Sequence, residues 1–284
     1  MPGEAVLLLF LSAVLHTTWN FQLKQLREKY IAIWWSILIG SGIFLPFLIF
    51  FGLPAWKIWP YLLASVFVEI CYFIALSAAY GDADFSLVYP IARGFAPALI
   101  ATWSVLFLGE KLTWGGVLGV GTIILGLLII SVQNIFQVGI KKPSLIGLLL
   151  PILLAFLISI YSTIDGAAVK LTPVFSYTVL VFFLSPVLST PLLLKKYPWQ
   201  MIVEEFSKQR FQIISIGLLT VFAYFLALIA YSIAPVSYVG AIREVSVVLG
   251  ALAGWKIFGE KMGGVRVIGS LVIFLGIMII ALKG

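Results

Sequence analysis

The chain has 284 residues, of which 62% are hydrophobic and only 10% are charged, and its net charge is +7. Soluble domains are on average about 45–50% apolar and about 25% charged, so a mean hydropathy of +1.16 excludes an ordinary soluble protein. One cysteine and one histidine exclude a disulfide scaffold and a four-ligand Cys/His zinc site. The lysines and arginines lie between apolar runs, which argues against nucleic-acid binding.

Long apolar runs predict membrane-spanning helices along the whole chain. A bilayer core is about 30 Å thick and requires about 20 mostly apolar residues per helix, and a run such as Val117 to Ile130 is too long for a barrel strand. The ten predicted spans are 3–23, 30–51, 59–80, 85–107, 113–132, 144–168, 173–194, 211–232, 235–255 and 263–282. The predicted fold class is an all-α integral membrane protein, with the lipid bilayer as a partner.

Lysine and arginine residues are divided unequally between the two sides of these spans. Of the 18, twelve fall on one side, four fall on the other, and Arg93 and Arg243 lie inside spans. Cytoplasmic loops carry the excess of positive charge, so the count places both termini outside the cytoplasm. We expect a multi-pass protein of the plasma membrane.

An internal repeat relates the two halves of the chain at an offset of 150 residues. Gly109-Glu110-Lys111 recurs as Gly259-Glu260-Lys261, Arg93 as Arg243, Gly119 as Gly269, and Gly126 as Gly276. Each half contains five spans, and since five is odd, the second half enters the membrane from the opposite side. We predict two inverted five-helix repeats, residues 1–142 and 143–284, an arrangement typical of alternating-access transporters.

The chain resembles the drug/metabolite transporter superfamily, in its EamA-like ten-helix form. The resemblance is carried by His16-Thr17-Thr18-Trp19-Asn20, by the two Gly-Glu-Lys segments, and by Tyr161-Ser162-Thr163-Ile164-Asp165-Gly166. It implies transport of small metabolites, favours export, and implies cytoplasmic termini, which is opposite to the charge count. No phosphate-binding loop or nucleophile elbow occurs, so we expect neither direct use of ATP nor an enzyme, and no cofactor.

Ionisable side chains inside the spans mark the candidate site, because charge in lipid is costly unless it is paired or serves a pathway. They are His16, Glu69, Arg93, Asp165, Arg243 and Glu244. We predict that Arg93 binds an acidic group of the substrate, since a guanidinium binds carboxylates through two parallel hydrogen bonds. A static pair of Arg93 with Glu69 is the alternative. Arg243 and Glu244 are predicted as a charge pair that ties helices together.

The remaining site residues are predicted from their spacing on the helices. Glu69 and His16 are candidates for proton or cation coupling, because an imidazole, and a carboxyl group in apolar surroundings, can exchange a proton near neutral pH. The substrate contacts predicted beside Arg93 are Trp19, Asn20, Tyr89, Tyr161 and Asp165. Tyr89 is selected from a tyrosine-rich group that also includes Tyr72, Tyr224 and Tyr231.

The function predicted from these features is secondary transport of a small polar or zwitterionic, amino-acid-like metabolite by alternating access. The protein acts as a monomer or a homodimer, and no metal site is expected. The alternative is a membrane enzyme or a lipid-handling scaffold with a buried charge cluster. Glu110 lies at a span exit, where we expect it to cap the next helix or to meet Lys111.

Overall fold

The computed structural model describes residues 1–82, 85–137, 145–258 and 264–284, except for the side chains of 77–94, 131–148, 251, 253–258 and 266. This part of the chain is helical and contains no strand. Its α-helices are α1 (Gly3–Gln25), α2 (Lys29–Gly42), α3 (Leu48–Phe51), α4 (Trp59–Asp82), α5 (Phe85–Leu108), α6 (Trp114–Gln137), α7 (Leu145–Ala168), α8 (Val174–Lys196), α9 (Trp199–Ile233), α10 (Val236–Ile242), α11 (Val245–Phe258) and α12 (Gly264–Lys283).

Within the described residues, six helical segments are long and apolar enough to cross a membrane. They are Gly3–Gln25, Lys29–Phe51, Trp56–Leu76, Leu149–Ala168, Val174–Lys196 and Trp199–Ile233. Helices suit the interior of a membrane because lipid offers no hydrogen-bond partners, and a helix pairs its backbone N–H and C=O groups within its own segment. The chain is therefore a multi-pass membrane protein.

Three predicted spans differ from the observed helices. The second ends in a 3-10 turn at Leu45–Phe47 and the short α3, because Pro46 lacks an N–H for the α-helical ladder. The eighth starts earlier, since α9 also takes in the polar segment from Trp199 and bends at Gln209, whose φ is −125° and ψ 18°. The ninth is interrupted between α10 and α11, at Arg243 and Glu244.

Helices α6 and α12 pack through glycines that the repeat relates. Gly119 lies against the carbonyl oxygen of Gly276, and Gly126 lies against that of Gly269. The order of contacts runs in opposite directions along the two helices, so α6 and α12 are antiparallel. Glycine permits this close approach because it has no Cβ.

Both chain ends lie on one face of the bundle. The Met1 ammonium donates to the carbonyl oxygen of Gly284 at 3.1 Å, and Thr113 Oγ1, between α5 and α6, donates to that of Lys283 at 2.7 Å. These contacts place the loop between α5 and α6 beside the termini.

Glu110 caps a helix in the other half of the chain. Its Oε1 accepts from the Val236 N–H at 2.6 Å, and its Oε2 accepts from the Ser237 N–H at 3.1 Å and from Ser237 Oγ at 2.8 Å. Lys170 Nζ lies 3.4 Å from Oε1. The structure thus corrects the expected partners: Glu110 caps α10 rather than the next helix, and its ion pair is with Lys170. Its counterpart in the repeat, Glu260, lies outside the described residues.

We expect Glu110→Gln to destabilise the protein. The change removes the negative charge and replaces one acceptor by a donor at the start of α10, so it should cost about 1–3 kcal/mol of unfolding free energy. The measurement is the thermal unfolding midpoint, Tm, in detergent. The matched control is Glu204→Gln, since Glu204 pairs with Lys208 on an exposed surface and its loss should leave Tm unchanged. Equal Tm values for the two variants would contradict the capping role.

Candidate functional site

A cavity of about 70 Å³ lies between the helices of the bundle. Because one water molecule needs about 10–15 Å³, it has room for several. The residues around it come from α1, α2, α4, α7, α8, α9 and the junction of α10 with α11. They are Leu9, Ser12, Ala13, His16, Trp19, Ile33, Ser36, Ile37, Glu69, Tyr72, Phe73, Tyr161, Phe182, Ile216, Thr220, Ala223, Tyr224, Arg243 and Ser246.

The fold brings together five of the residues that the sequence singled out, although they come from four different helical segments. His16, Trp19, Glu69, Tyr161 and Arg243 all border this cavity. Apart from His16 and Trp19, which share one turn of α1, they are far apart in the sequence, so only the packing of the helices places them at one site.

Four other predicted residues do not border the cavity or are not described. Asn20 Nδ2 donates to the His16 carbonyl oxygen of its own helix at 2.8 Å. Glu244 is buried, with 2% of its surface exposed. The side chains of Arg93 and Tyr89 lie outside the described residues. The roles assigned to all four stay predictions.

Arg243 lies at the cavity among hydroxyl groups and aromatic rings. Its Nη1 donates to Ser162 Oγ at 3.4 Å and to Tyr231 OH at 3.3 Å. Its Cζ atom is 5.4 Å from the Tyr224 ring centre and 5.9 Å from that of Tyr231, within cation–π range. Among the described side chains, no carboxylate oxygen lies within 4.0 Å of the guanidinium. Much of its hydrogen-bonding capacity thus remains for a ligand.

Glu69 supplies the negative charge at the same cavity. It is 3% exposed, and Ser185 Oγ on α8 lies 3.0 Å from its Oε2. It is also close enough to Asp165 and Arg243 to interact with both electrostatically. Among the described side chains, the cavity therefore carries one arginine and one carboxylate beside a group of aromatic rings.

Asp165 lies directly behind these aromatic rings and is fully buried. The Tyr177 hydroxyl donates to its Oδ1 at 2.7 Å, and the Tyr224 hydroxyl donates to its Oδ2. Since Tyr224 borders the cavity, Asp165 orients a cavity residue from behind. Its predicted role as a direct substrate contact stays a prediction.

The aromatic wall is continuous around Tyr161. Its ring centre is 5.8 Å from that of Tyr72 and 6.2 Å from that of Tyr224, and Phe182 lies 5.1 Å from Tyr224. Tyr72 and Tyr224 belong to the tyrosine-rich group that the sequence analysis noted, and both border the cavity. No sequence signal distinguished Ser185 or Tyr177, because neither stands out from the apolar helix that carries it.

Comparison with known protein families shows which family has the sequence pattern of this chain. The model of the EamA-like transporter family matches residues 3–132 and 145–282. The chain belongs to the EamA-like transporter family. The resemblance drawn from the sequence is thus confirmed, and this EamA-like chain is a membrane transporter by family. The match extends over nearly the whole chain, including every helix around the cavity.

Solved structures show how widely the fold of this EamA-like chain occurs. At least 28 chains of known structure are similar. One crystal structure of a protein superposes with a TM-score of 0.80 over 99% of this chain and 98% of its own, at 16% identity. At that identity the likeness concerns the fold alone. A comparison with curated proteins finds no match.

Proposed function

We propose that this EamA-like chain is a secondary transporter that moves a small polar or zwitterionic, amino-acid-like metabolite outward across the cell membrane. The observation that carries the proposal is that Arg243 and Glu69 border the same aromatic cavity. A zwitterion offers a carboxylate to the first and an ammonium to the second, and aromatic walls accept the remaining apolar surface. The convergence of charged residues from several helices favours transport over a lipid-handling scaffold.

Alternating access is proposed to rest on two inverted five-helix repeats, which together make ten spans. The contacts of α6 with α12 support this arrangement. Gly119 meets Gly276, the equivalent of Gly126, while Gly126 meets Gly269, the equivalent of Gly119. Such reciprocal contacts are typical of two units that are related by a two-fold axis. Because the two helices are antiparallel, the axis is perpendicular to them, as in an inverted repeat.

Coupling to protons through Glu69 or His16 belongs to the same proposal. Both side chains border the cavity, and the His16 ring packs edge-on against Trp19 with ring centres 5.0 Å apart. A group that exchanges protons in a carrier must be reachable from the substrate cavity, and both meet that requirement.

The proposal is tested by transport in proteoliposomes that contain the purified protein. We expect radiolabelled zwitterionic amino acids to enter faster than into protein-free liposomes, and Glu69→Gln to slow entry about tenfold because it removes the charge that faces the ammonium. Glu204→Gln, on an exposed surface, is the control and should transport normally. Entry no faster than into empty liposomes for every amino acid in the panel would refute the proposed function.

A further inference from the structure

The membrane helix that carries Arg243 is interrupted at the cavity. Between α10 and α11 the backbone hydrogen bonds shift to partners three residues back: the Glu244 N–H donates to the Ala241 oxygen at 3.1 Å, and the Ser246 N–H donates to the Arg243 oxygen at 3.2 Å. Helix α11 therefore begins within the predicted ninth span, beside Arg243.

Two polar atoms at this place have no hydrogen-bond partner among the described residues. Ser246 is 3% exposed and borders the cavity, and its Oγ is buried without a partner. The same is true of the buried Nε1 of Trp19. Buried polar atoms are nearly always paired in native proteins, so the two atoms indicate a group that the cavity receives from outside the chain.

A hydrogen bond joins the two helices, α1 and α11, that carry these atoms. Thr17 Oγ1 on α1 donates to the Ser246 carbonyl oxygen at 3.3 Å. The turn of α1 that carries Trp19 therefore lies against the first turn of α11. Arg243 lies in the interruption itself and also borders the cavity.

We propose that the start of α11 is the subsite for the carboxylate of the substrate, bound by the Arg243 guanidinium, the Ser246 hydroxyl and the Trp19 indole N–H. A guanidinium and an indole N–H only donate hydrogen bonds, and a hydroxyl can do so. The matching ligand group is thus a negatively charged acceptor, and a planar carboxylate fits the guanidinium fork. This subsite rests on the proposed transport function and assigns the acidic end of the substrate to Arg243.

The test is binding, measured by isothermal titration calorimetry with the purified full-length protein in nanodiscs. The probes are four pairs of an amino acid and its amide, which lacks the carboxylate: leucine, phenylalanine, serine and glutamine. We expect the acid to bind at least about tenfold more tightly than its amide in one pair or more. Ser246→Ala and Trp19→Phe should each weaken binding of that acid about fivefold and leave its amide unaffected.

The matched control is Ser104→Ala. Ser104 is fully buried and its hydroxyl also lacks a partner among the described residues, but it lies on α5 away from the cavity. Its replacement should change neither affinity. Amides that bind as tightly as acids, the absence of binding in all four pairs, or an equal loss for acid and amide in Ser246→Ala would overturn the carboxylate subsite.

Transport of the same probes separates this subsite from the function on which it rests. Binding that prefers acids, without transport in proteoliposomes, would refute the transporter and leave the subsite in place. Transport of acids and amides at equal rates would refute the subsite and leave the transporter in place.

Discussion

Replacing Arg243 by leucine should lower kcat/KM for transport at least about a hundredfold, because the variant loses the only arginine or lysine that borders the cavity in the described part of the chain. Arg243→Lys should lower kcat/KM about tenfold, since lysine keeps the charge but lacks the planar fork of donors. The measurement is the initial rate of labelled amino acid entry into proteoliposomes, normalised to the amount of protein incorporated.

A second arginine provides the control for this experiment. Arg210 is exposed and packs over the Phe211 ring at 5.0 Å, away from the cavity, so Arg210→Leu should transport at the normal rate. Each variant is first compared with the parent by its Tm, which separates loss of folding from loss of transport. An Arg243→Leu protein with normal Tm and normal transport would remove Arg243 from the substrate site.

We expect Gly217→Ala to lower both the stability and the transport activity of the protein. Gly217 on α9 lies against Gly40 on α2, and a Cβ at position 217 would overlap the carbonyl oxygen of Ser36. The obstacle is backbone rather than a flexible side chain, so the two helices must separate. We expect a loss of about 1–3 kcal/mol of unfolding free energy. Because Ser36 and Ile216 border the cavity, transport should fall as well.

Gly121→Ala is the matched control for this prediction. An added Cβ at Gly121 meets nothing within 4 Å, and the residue is exposed within helix α6. Alanine is favoured over glycine in a helix by about 0.5–1 kcal/mol, so this variant should be as stable as the parent or more so. The measurement is Tm in detergent, and equal Tm values for Gly217→Ala and Gly121→Ala would show that the helix crossing does not depend on glycine.

The helices themselves could be predicted because each apolar run carries its own evidence. The runs over 3–23, 144–168 and 173–194 needed no information from elsewhere, since length and hydropathy decide whether a segment suits lipid. The interruption at Arg243 could not be predicted this way. Its apolar neighbours on both sides look like one continuous span, and the shift in backbone hydrogen bonds depends on what the helix contacts.

Partners of polar groups were predicted less well than the groups themselves. Glu110 was expected to act near its own position, yet it caps α10, which is 126 residues away in the sequence. The hydrogen bonds of Arg243 reach Ser162 and Tyr231, and its role with Glu244 in tying helices together stays a prediction. For Glu110 the error came from assuming that the partner lies nearby along the chain.

The amino-acid sequence by itself determined that this protein is a helical membrane protein with a repeated pattern of glycines and charged residues. These properties follow from composition and spacing, which act locally and do not depend on the final packing. Only the tertiary structure decided that His16, Trp19, Glu69, Tyr161 and Arg243 share one cavity. The physical reason is that each helix has several faces, and only the packing of the bundle selects the face that is turned inward.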